Sequence, residues 1–263
     1  MLKIAVAGAA GKMGKTNIKV VSEDKECLLV GALEASNSSL LGKDAGEIAG
    51  IGNVGISITS DPNNAFKDCD VIIDFTTPSA TTKNIEFATK FKKAIVIGTT
   101  GIGEKEKEII REAGKVIPVI WAPNFSVGIN LMTKLIKTAA QVLGNSFDAE
   151  IVEIHHRLKK DSPSGTALQL LNVLKEIYNT DNIIYGREGM IGERPANQIG
   201  VFAVRGGDVV GEHTVSFYGI GERLEIVHKA SSRETFARGA LRAAKYIISK
   251  GIGLYTMNDV LGL

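Results

Sequence analysis

Apolar residues in this chain occur in two arrangements, short continuous runs and positions recurring every three to four residues, and their succession predicts the elements. Leu2 to Ala7 is a continuous apolar run, as a parallel strand covered on both faces requires, and it stops at Gly8. Lys12 to Ser22 then has helical spacing, and Cys27 to Leu33 is a second buried run ending on Glu34. Together they predict one βαβ unit. The stretch from Ala35 to Gly55 is rich in Ser, Gly and Asn, which predicts a long loop carrying one short helical turn. Alternation resumes with strands at Ile56 to Thr59, Val71 to Phe75, Ala94 to Gly98 and Ile117 to Trp121. Between them fall helices at Pro62 to Lys67, Ser79 to Phe91 and Glu104 to Ala113. This order predicts an α/β fold, a Rossmann-type doubly wound parallel sheet with right-handed crossovers.

Past Asn124 the pattern changes. A long helix at Ile129 to Leu143 precedes a strand at Ala149 to Arg157 and a helix at Gly165 to Tyr178. Alternating strands follow at Ile199 to Val204, Asp208 to Tyr218 and Arg223 to Ala230, with Gly206-Gly207 and Gly219-Ile220-Gly221 placed as hairpin turns. This predicts a second, α+β domain with a mixed, open sheet. The last helix, Glu234 to Ser249, is amphipathic, ends at Gly251 and is predicted to return and cover the first domain. The expected division is 1–126 with 234–263 as the dinucleotide-binding domain, and 127–233 as the substrate-binding and oligomerisation domain.

Composition narrows the classes without naming a function. With 44% apolar and 23% charged residues, the chain reads as globular rather than disordered. A net charge of +2 from interspersed signs provides no basic stripe, so no nucleic-acid partner is expected. No apolar run approaches the ~18 residues of a membrane span, and no membrane partner is expected. Cys27 and Cys69 fit neither a disulfide framework nor metal-ligand spacing, and are expected to be reduced thiols of a cytoplasmic protein.

The glycine pattern Gly8, Gly11, Gly14 joins the first strand to the first helix. In such a turn the first glycine permits the tight bend, the second lets backbone approach a pyrophosphate, and the third lets helix and strand pack closely. Phosphates would face amides at the helix start. Small residues also serve plain strand-helix packing, but Glu34 lies 20 residues after Gly14 at the end of the next strand, where an acid accepts hydrogen bonds from an adenosine ribose. Gly98-Thr99-Thr100-Gly101 and Ala122-Pro123-Asn124-Phe125 sit at the carboxyl ends of later strands, where open sheets bind ligands.

The richest stretch is EIHHRLKKDSPSGT, Glu153 to Thr166. Adjacent His155 and His156 on a strand point to opposite faces and cannot readily share a metal, so no metal site is expected. One is a structural residue, while the other faces a cleft and exchanges protons. Asp161 to Thr166 reads as a turn into a helix with Ser164 or a neighbour as N-cap, an anion receptor beside a histidine and Lys159. That suits a small carboxylate substrate. Arg205, Arg223, His228 and Arg233 either add charge there or are sheet-surface residues, and for most of them the surface reading is favoured.

Over essentially its full length the chain resembles the dihydrodipicolinate reductase family. The resemblance is carried by VAGAAGKMG, DFTTPSAT, GTTG, APNFSVGIN, EIHHRLKKDSPSGTAL, GER at 192–194, VRGGDVVGEHTV and ERLEIVHKASSRETFARGAL, in matching order and spacing. It implies NADH and/or NADPH as cofactor, with Gly8, Ala9, Ala10, Gly11, Lys12 and Met13 at the pyrophosphate and Glu34 at the ribose. Gly98, Thr99, Thr100, Ala122, Pro123, Asn124 and Phe125 would place the nicotinamide. His155 would be the proton donor or acceptor and Lys159 the other proton donor. The substrate carboxylates would lie on His156, Lys159, Ser164, Gly165 and Thr166. The family resemblance also implies a homotetramer joined through the second domain's sheet. One departure stands out: Ala35 follows Glu34, where the family often has an arginine to meet the NADPH 2′-phosphate, which leans the expected preference toward NADH with dual use open and Lys12 as a phosphate partner. Two other readings are a similar dehydrogenase acting on an amino-acid semialdehyde and a nonenzymatic NAD(P)H sensor. The sensor has no use for the His155 to Thr166 constellation.

Overall fold

In the computed structural model, which describes residues 1–263, the N-terminal run folds as β1 (Leu2–Ala7), α1 (Lys12–Glu23), β2 (Cys27–Leu33) and α2 (Ala45–Ala49). It continues as β3 (Ile58–Thr59), α3 (Pro62–Phe66), β4 (Val71–Asp74), α4 (Pro78–Phe91), β5 (Ala94–Ile97), α5 (Glu104–Ala113) and β6 (Pro118–Trp121). Next come α6 (Val127–Leu143), β7 (Asp148–His155), α7 (Gly165–Tyr178), β8 (Ile183–Ile184), β9 (Ile199–Arg205), β10 (Gly211–Tyr218) and β11 (Arg223–Ala230). The chain closes with α8 (Glu234–Ile247), β12 (Gly253–Tyr255) and α9 (Met257–Leu261). It divides into two units, Met1–Val127 with Arg233–Leu263, and Gly128–Ser232.

The first unit holds a seven-stranded sheet in the order β12-β6-β5-β4-β1-β2-β3, parallel throughout. Doubly covered strands explain the unbroken apolar runs, because successive side chains enter opposite layers. Ile4, Val6, Val71, Ile73 and Val96 pack on the α1 and α8 side with Ile18, Val21, Ala240 and Ala244. Ala5, Ala7, Ile72, Ile95 and Ile97 pack on the other side with Phe66, Ile85 and Ile110. Each such Val or Ile stabilises the fold by roughly 1.5–3 kcal/mol. Strand order reverses between β1 and β4, the switch point at which open sheets bind ligands.

The second unit has a five-stranded sheet in the order β11-β10-β7-β9-β8. It is mixed: β7 is parallel to β9 and antiparallel to β10. Its core lies on one face only, where α6 and α7 bring Ile129, Met132, Ile136, Leu170 and Leu174 against Ile151, Val201 and Phe217.

The structure corrects several local expectations. Gly206-Gly207 does not make a hairpin, since β9 and β10 flank β7 on opposite sides. The connection instead wraps the end of β7, with Gly206 N–H donating to the His155 carbonyl and His156 N–H to that of Val209, both at 2.8–2.9 Å. Which strand fills which edge is decided by non-local pairing, to which a two-glycine turn is blind. The apolar pattern does not predict the short β8, β12 and α9; β12 adds the outermost parallel strand beside β6.

Candidate active site

The glycine turn is built by steric necessity. Gly8 has φ +71°, which favours glycine, and a Cβ on Gly14 would stand 1.9 Å from the Gly8 carbonyl oxygen. α1 can therefore lie against β1 only with glycine at both positions. Gly11 is the N-cap and offers no side-chain cap, so the first-turn amides of α1 remain available to a ligand. At the end of β2 the Glu34 carboxylate accepts from Ala10 N–H at 2.7 Å and Ala35 N–H at 2.9 Å. The acid is thereby fixed next to the turn. An open groove runs over this edge, lined by Gly8, Gly11, Glu34, Ser36, Thr76 and Lys83 among others. An uncapped helix start, a close-packed glycine turn and a fixed acid fit a dinucleotide.

Other residues named from the sequence are placed less simply. Thr99 is buried, and its hydroxyl accepts from Thr76 N–H at 3.0 Å and Thr81 O–H at 2.7 Å, so its side chain serves the protein. Thr100 is exposed beside it. The Phe125 ring is buried 5.4 Å from that of Phe75, and a Cβ on Gly239 would stand 1.7 Å from its carbonyl oxygen. Both the ring and the carbonyl of Phe125 are therefore packed inside the protein. Asn124 Oδ1 accepts from Ser126 N–H at 2.8 Å. Ala9 is buried, Met13 packs on the core, and Lys12 is exposed in the first turn of α1.

In the second unit the core face of β7 changes character along its length. Ala149 and Ile151 meet the helices, but Glu153 and His155, next on that face, are also buried. Glu153 is fully buried and meets only donors. Arg205 on β9 gives it two N–H bonds at 2.7 Å each, Ser164 N–H donates at 2.9 Å, and His155 Nδ1 lies 2.6 Å from it. Four donors around one carboxylate require it to be ionised, and they place a proton on Nδ1 of His155. The opposite nitrogen, Nε2, is then the reactive one. Gly211 leaves it room, for a Cβ there would stand 2.9 Å from Nε2.

Burial outweighs the pull of Glu153 and holds the His155 pKa below its ordinary value, with Lys159 and Arg205 adding to the depression. The Glu153 carboxyl, although burial raises it, is brought below the usual range by its bonds from Arg205, His155 and Ser164. Ser164 is the N-cap of α7: its hydroxyl accepts from Ala167 N–H at 3.1 Å and lies 3.1 Å from Nε2 of His213. Burial pushes His213 down to about 4, and its ring stands edge-on to His155 at 5.2 Å. Lys159 pairs with the exposed Asp161 at 3.0 Å. Gly165 is exposed and Thr166 half-buried on the first turn of α7, and His156 is half-buried.

Glu153 and His213 build the site although the sequence pattern assigns them no role, and Arg205, for which both a pocket and a sheet-surface place are open in the sequence, is a partner of Glu153. A signal was present in the i, i+2 spacing of Glu153 and His155, which puts acid and imidazole on one face of a strand. Nothing local announces that Arg205 and His213, 52 and 60 residues after Glu153, complete the cluster. No group of three or more His, Cys, Asp or Glu stands in an arrangement that could hold a metal ion.

A ligand-ready glycine turn at a switch point in one unit, and a neutral imidazole beside a helix start in the other, define a class: a Rossmann-type nucleotide-binding oxidoreductase. Comparison with known proteins narrows it. Residues 2–125 match the family model described as dihydrodipicolinate reductase, N-terminus, and residues 128–261 the one described as dihydrodipicolinate reductase, C-terminus. The chain belongs to the dihydrodipicolinate reductase family. Proteins named 4-hydroxy-tetrahydrodipicolinate reductase from Trichlorobacter lovleyi and Geobacter metallireducens are 52% and 51% identical to it, with 100% of each chain covered. Among solved structures, the dipicolinate-bound dihydrodipicolinate reductase of Paenisporosarcina sp. TG-14 superposes with a TM-score of 0.78 at 25% identity, covering 97% of both chains. A Thermus thermophilus WlbA dehydrogenase in complex with NAD and alpha-ketoglutarate shares the fold alone, with a TM-score of 0.57 at 13% identity over 99% of this chain and 91% of that one.

Proposed function

We propose that this chain catalyses the NAD(P)H-dependent reduction of 4-hydroxy-tetrahydrodipicolinate to tetrahydrodipicolinate, a step of lysine and diaminopimelate biosynthesis. The observation that carries the reading is His155, buried, neutral and oriented by Glu153 at the start of α7, in a chain about half identical throughout to proteins of that name. Bound nicotinamide supplies the hydride; the protein supplies orientation, charge and protons. In the first unit, Gly8 to Met13 hold the pyrophosphate at the start of α1 and Glu34 accepts from the adenosine ribose. Gly98 to Thr100 and Ala122 to Phe125 place the nicotinamide end.

The second unit is the substrate-binding one. His156, Lys159, Gly165 and Thr166 receive the two carboxylates, with the positive end of α7 favouring negative charge; Ser164, expected among them, is buried and already engaged by Glu153, Ala167 and His213, and serves as the helix cap instead. The net change adds one hydride and one proton and releases the 4-hydroxyl as water; His155 takes up and returns a proton at Nε2, and Lys159 is the second proton donor. NADH is the preferred cofactor and NADPH a weaker one, because the fixed Glu34 carboxylate repels a 2′-phosphate and Ala35 offers it no cation. The reading includes a homotetramer joined through the bare face of the second sheet, where Val152, Val204 and Val227 are exposed. It also includes a cytoplasmic location, in keeping with the unpaired thiols of Cys27 and Cys69.

The test is to supply the product of dihydrodipicolinate synthase and follow NADH and NADPH absorbance. Oxidation of both, with the higher kcat/KM for NADH, is expected; no oxidation of either would overturn the reading. His155→Gln and Lys159→Met should each lower turnover by about 10²–10⁴-fold while leaving NADH affinity near that of the parent.

A further inference from the structure

The carboxylate that orients His155 poses a chemical problem. A buried acid 2.6 Å from an imidazole normally draws a proton onto the ring, because an opposite charge at that range moves a titration midpoint by about 1–3 units. An imidazole already charged could not accept a proton at Nε2. In this protein the acid is not left alone with the ring. β9 runs parallel to β7 in a register that sets Arg205 opposite His155, and its guanidinium grips both Glu153 oxygens at 2.7 Å. The same guanidinium donates to the carbonyl of Asp161 at 2.8 Å, which ties it to the loop before α7.

We infer that Arg205 is a positioning residue for the reaction: its guanidinium neutralises the Glu153 carboxylate, so that Glu153 orients the His155 ring without drawing a second proton onto it. The other groups near the ring fit this division of labour. On β10, His213 is neutral and contributes an edge-on contact. In the loop after β7, Lys159 is positive and is offset by Asp161. The start of α7 presents only Ser164, Gly165 and Thr166. Glu153 is thus the one anion in direct contact with His155, and Arg205 is the only cation on that anion. The depressed pKa of His155 agrees with this arrangement but does not define it. The inference rests on the proposed reading of His155 as the proton-exchanging group.

The geometry predicts opposite responses to removing each member of the pair. In Arg205→Gln the Glu153 charge is uncompensated, so the His155 midpoint should rise by about one unit or more. In Glu153→Gln the Arg205 charge faces the ring alone, so the midpoint should fall. Arg205→Lys keeps the charge and should hold the midpoint close to the parent value. With only four histidines in the chain, ring resonances of the full-length protein can be assigned and titrated by NMR. The acid limb of the kcat/KM profile should move in step. An unchanged or lowered midpoint in Arg205→Gln overturns the inference, as does a loss of activity equal at every pH, which is what a purely structural role produces. Should Arg205→Gln not fold, Glu153→Gln is compared with the double variant Glu153→Gln/Arg205→Gln, in which no buried charge is left unpaired: a lower midpoint in the single variant supports the inference, and equal midpoints overturn it. The NMR midpoint needs no substrate. A failed inference is therefore visible as an unmoved midpoint in an active enzyme, and a failed assignment of function as shifted midpoints without turnover.

Discussion

Asp74 shows how much of the first unit hangs on one side chain. It is fully buried at the end of β4, and everything that meets its carboxylate is a donor: Thr76 N–H at 3.0 Å, Thr76 O–H at 2.6 Å, Asn84 at 3.1 Å and Thr99 O–H at 3.4 Å. Burial raises its pKa, and the bonds from Thr76 and Asn84 offset part of that rise. Those donors belong to the turns after β4 and β5 and to α4, so a single acceptor ties together three segments at the ligand edge of the sheet. Asp74→Ala would strand them in a dry site, where an unsatisfied donor costs about 1–3 kcal/mol. The expected result is a loss of ~3 kcal/mol or more of unfolding free energy in urea, with weaker NADH binding because Phe75, Thr76 and Thr77 line the groove. Asp74→Asn, which keeps one acceptor oxygen, should lose less. Unchanged stability in Asp74→Ala would show that the threonines satisfy one another without it.

At the scale of elements, the contact between β1 and α1 sets where the phosphate-facing amides lie. Gly14 leaves no space for a methyl group because the atom in the way is the Gly8 carbonyl, which is backbone and cannot swing aside. Gly14→Ala should therefore displace the start of α1, costing roughly 1–3 kcal/mol as overpacking does, and should weaken NADH binding in a fluorescence titration. Gly11→Ala meets the same carbonyl at 3.2 Å and should cost less stability. A Gly14→Ala protein as stable and as tight-binding as the parent would refute the close-packing argument. This turn was legible in the sequence because its constraints are local, a positive φ and a short helix-strand approach within seven residues. The doubly wound order was legible for a similar reason, since each buried strand is a contiguous run. The β7–β9–β10 arrangement was not. Gly206-Gly207 has the composition of a hairpin, but the edge of β7 on which β10 lands is chosen by pairing across more than fifty residues. Glu153, Arg205 and His213 were hidden by the same fact, since the parallel and antiparallel registers that juxtapose them leave no trace in spacing along the chain.

Across the whole molecule, acidification from pH 7 to pH 5 should weaken the second unit before the first. In the second unit His155, His213 and His228 all have pKa values below the ordinary 6.5, His213 falling to about 4. The unfolded chain therefore takes up these protons first as pH drops, and stability is lost between 6.5 and 4. His213, almost wholly buried, accounts for an order of ~3 kcal/mol by the foot of that window. Glu153 extends the slope, because its stabilising ionised form is lost as pH falls below its ordinary 4.5 and through its lower folded-state value. In the first unit Asp74 has the reverse sign: its folded pKa is raised above 3.8, so protonation on acidification favours the folded state. Hydrogen exchange at pH 5 compared with pH 7, corrected for intrinsic rates, should show protection falling across β7, β9, β10 and α7 while β1, β4 and β5 keep theirs. Equal loss of protection in both sheets would mean that the buried histidines are not what limits the acid stability of the second unit, and would count against the neutral, enclosed His155 on which the proton-transfer reading depends.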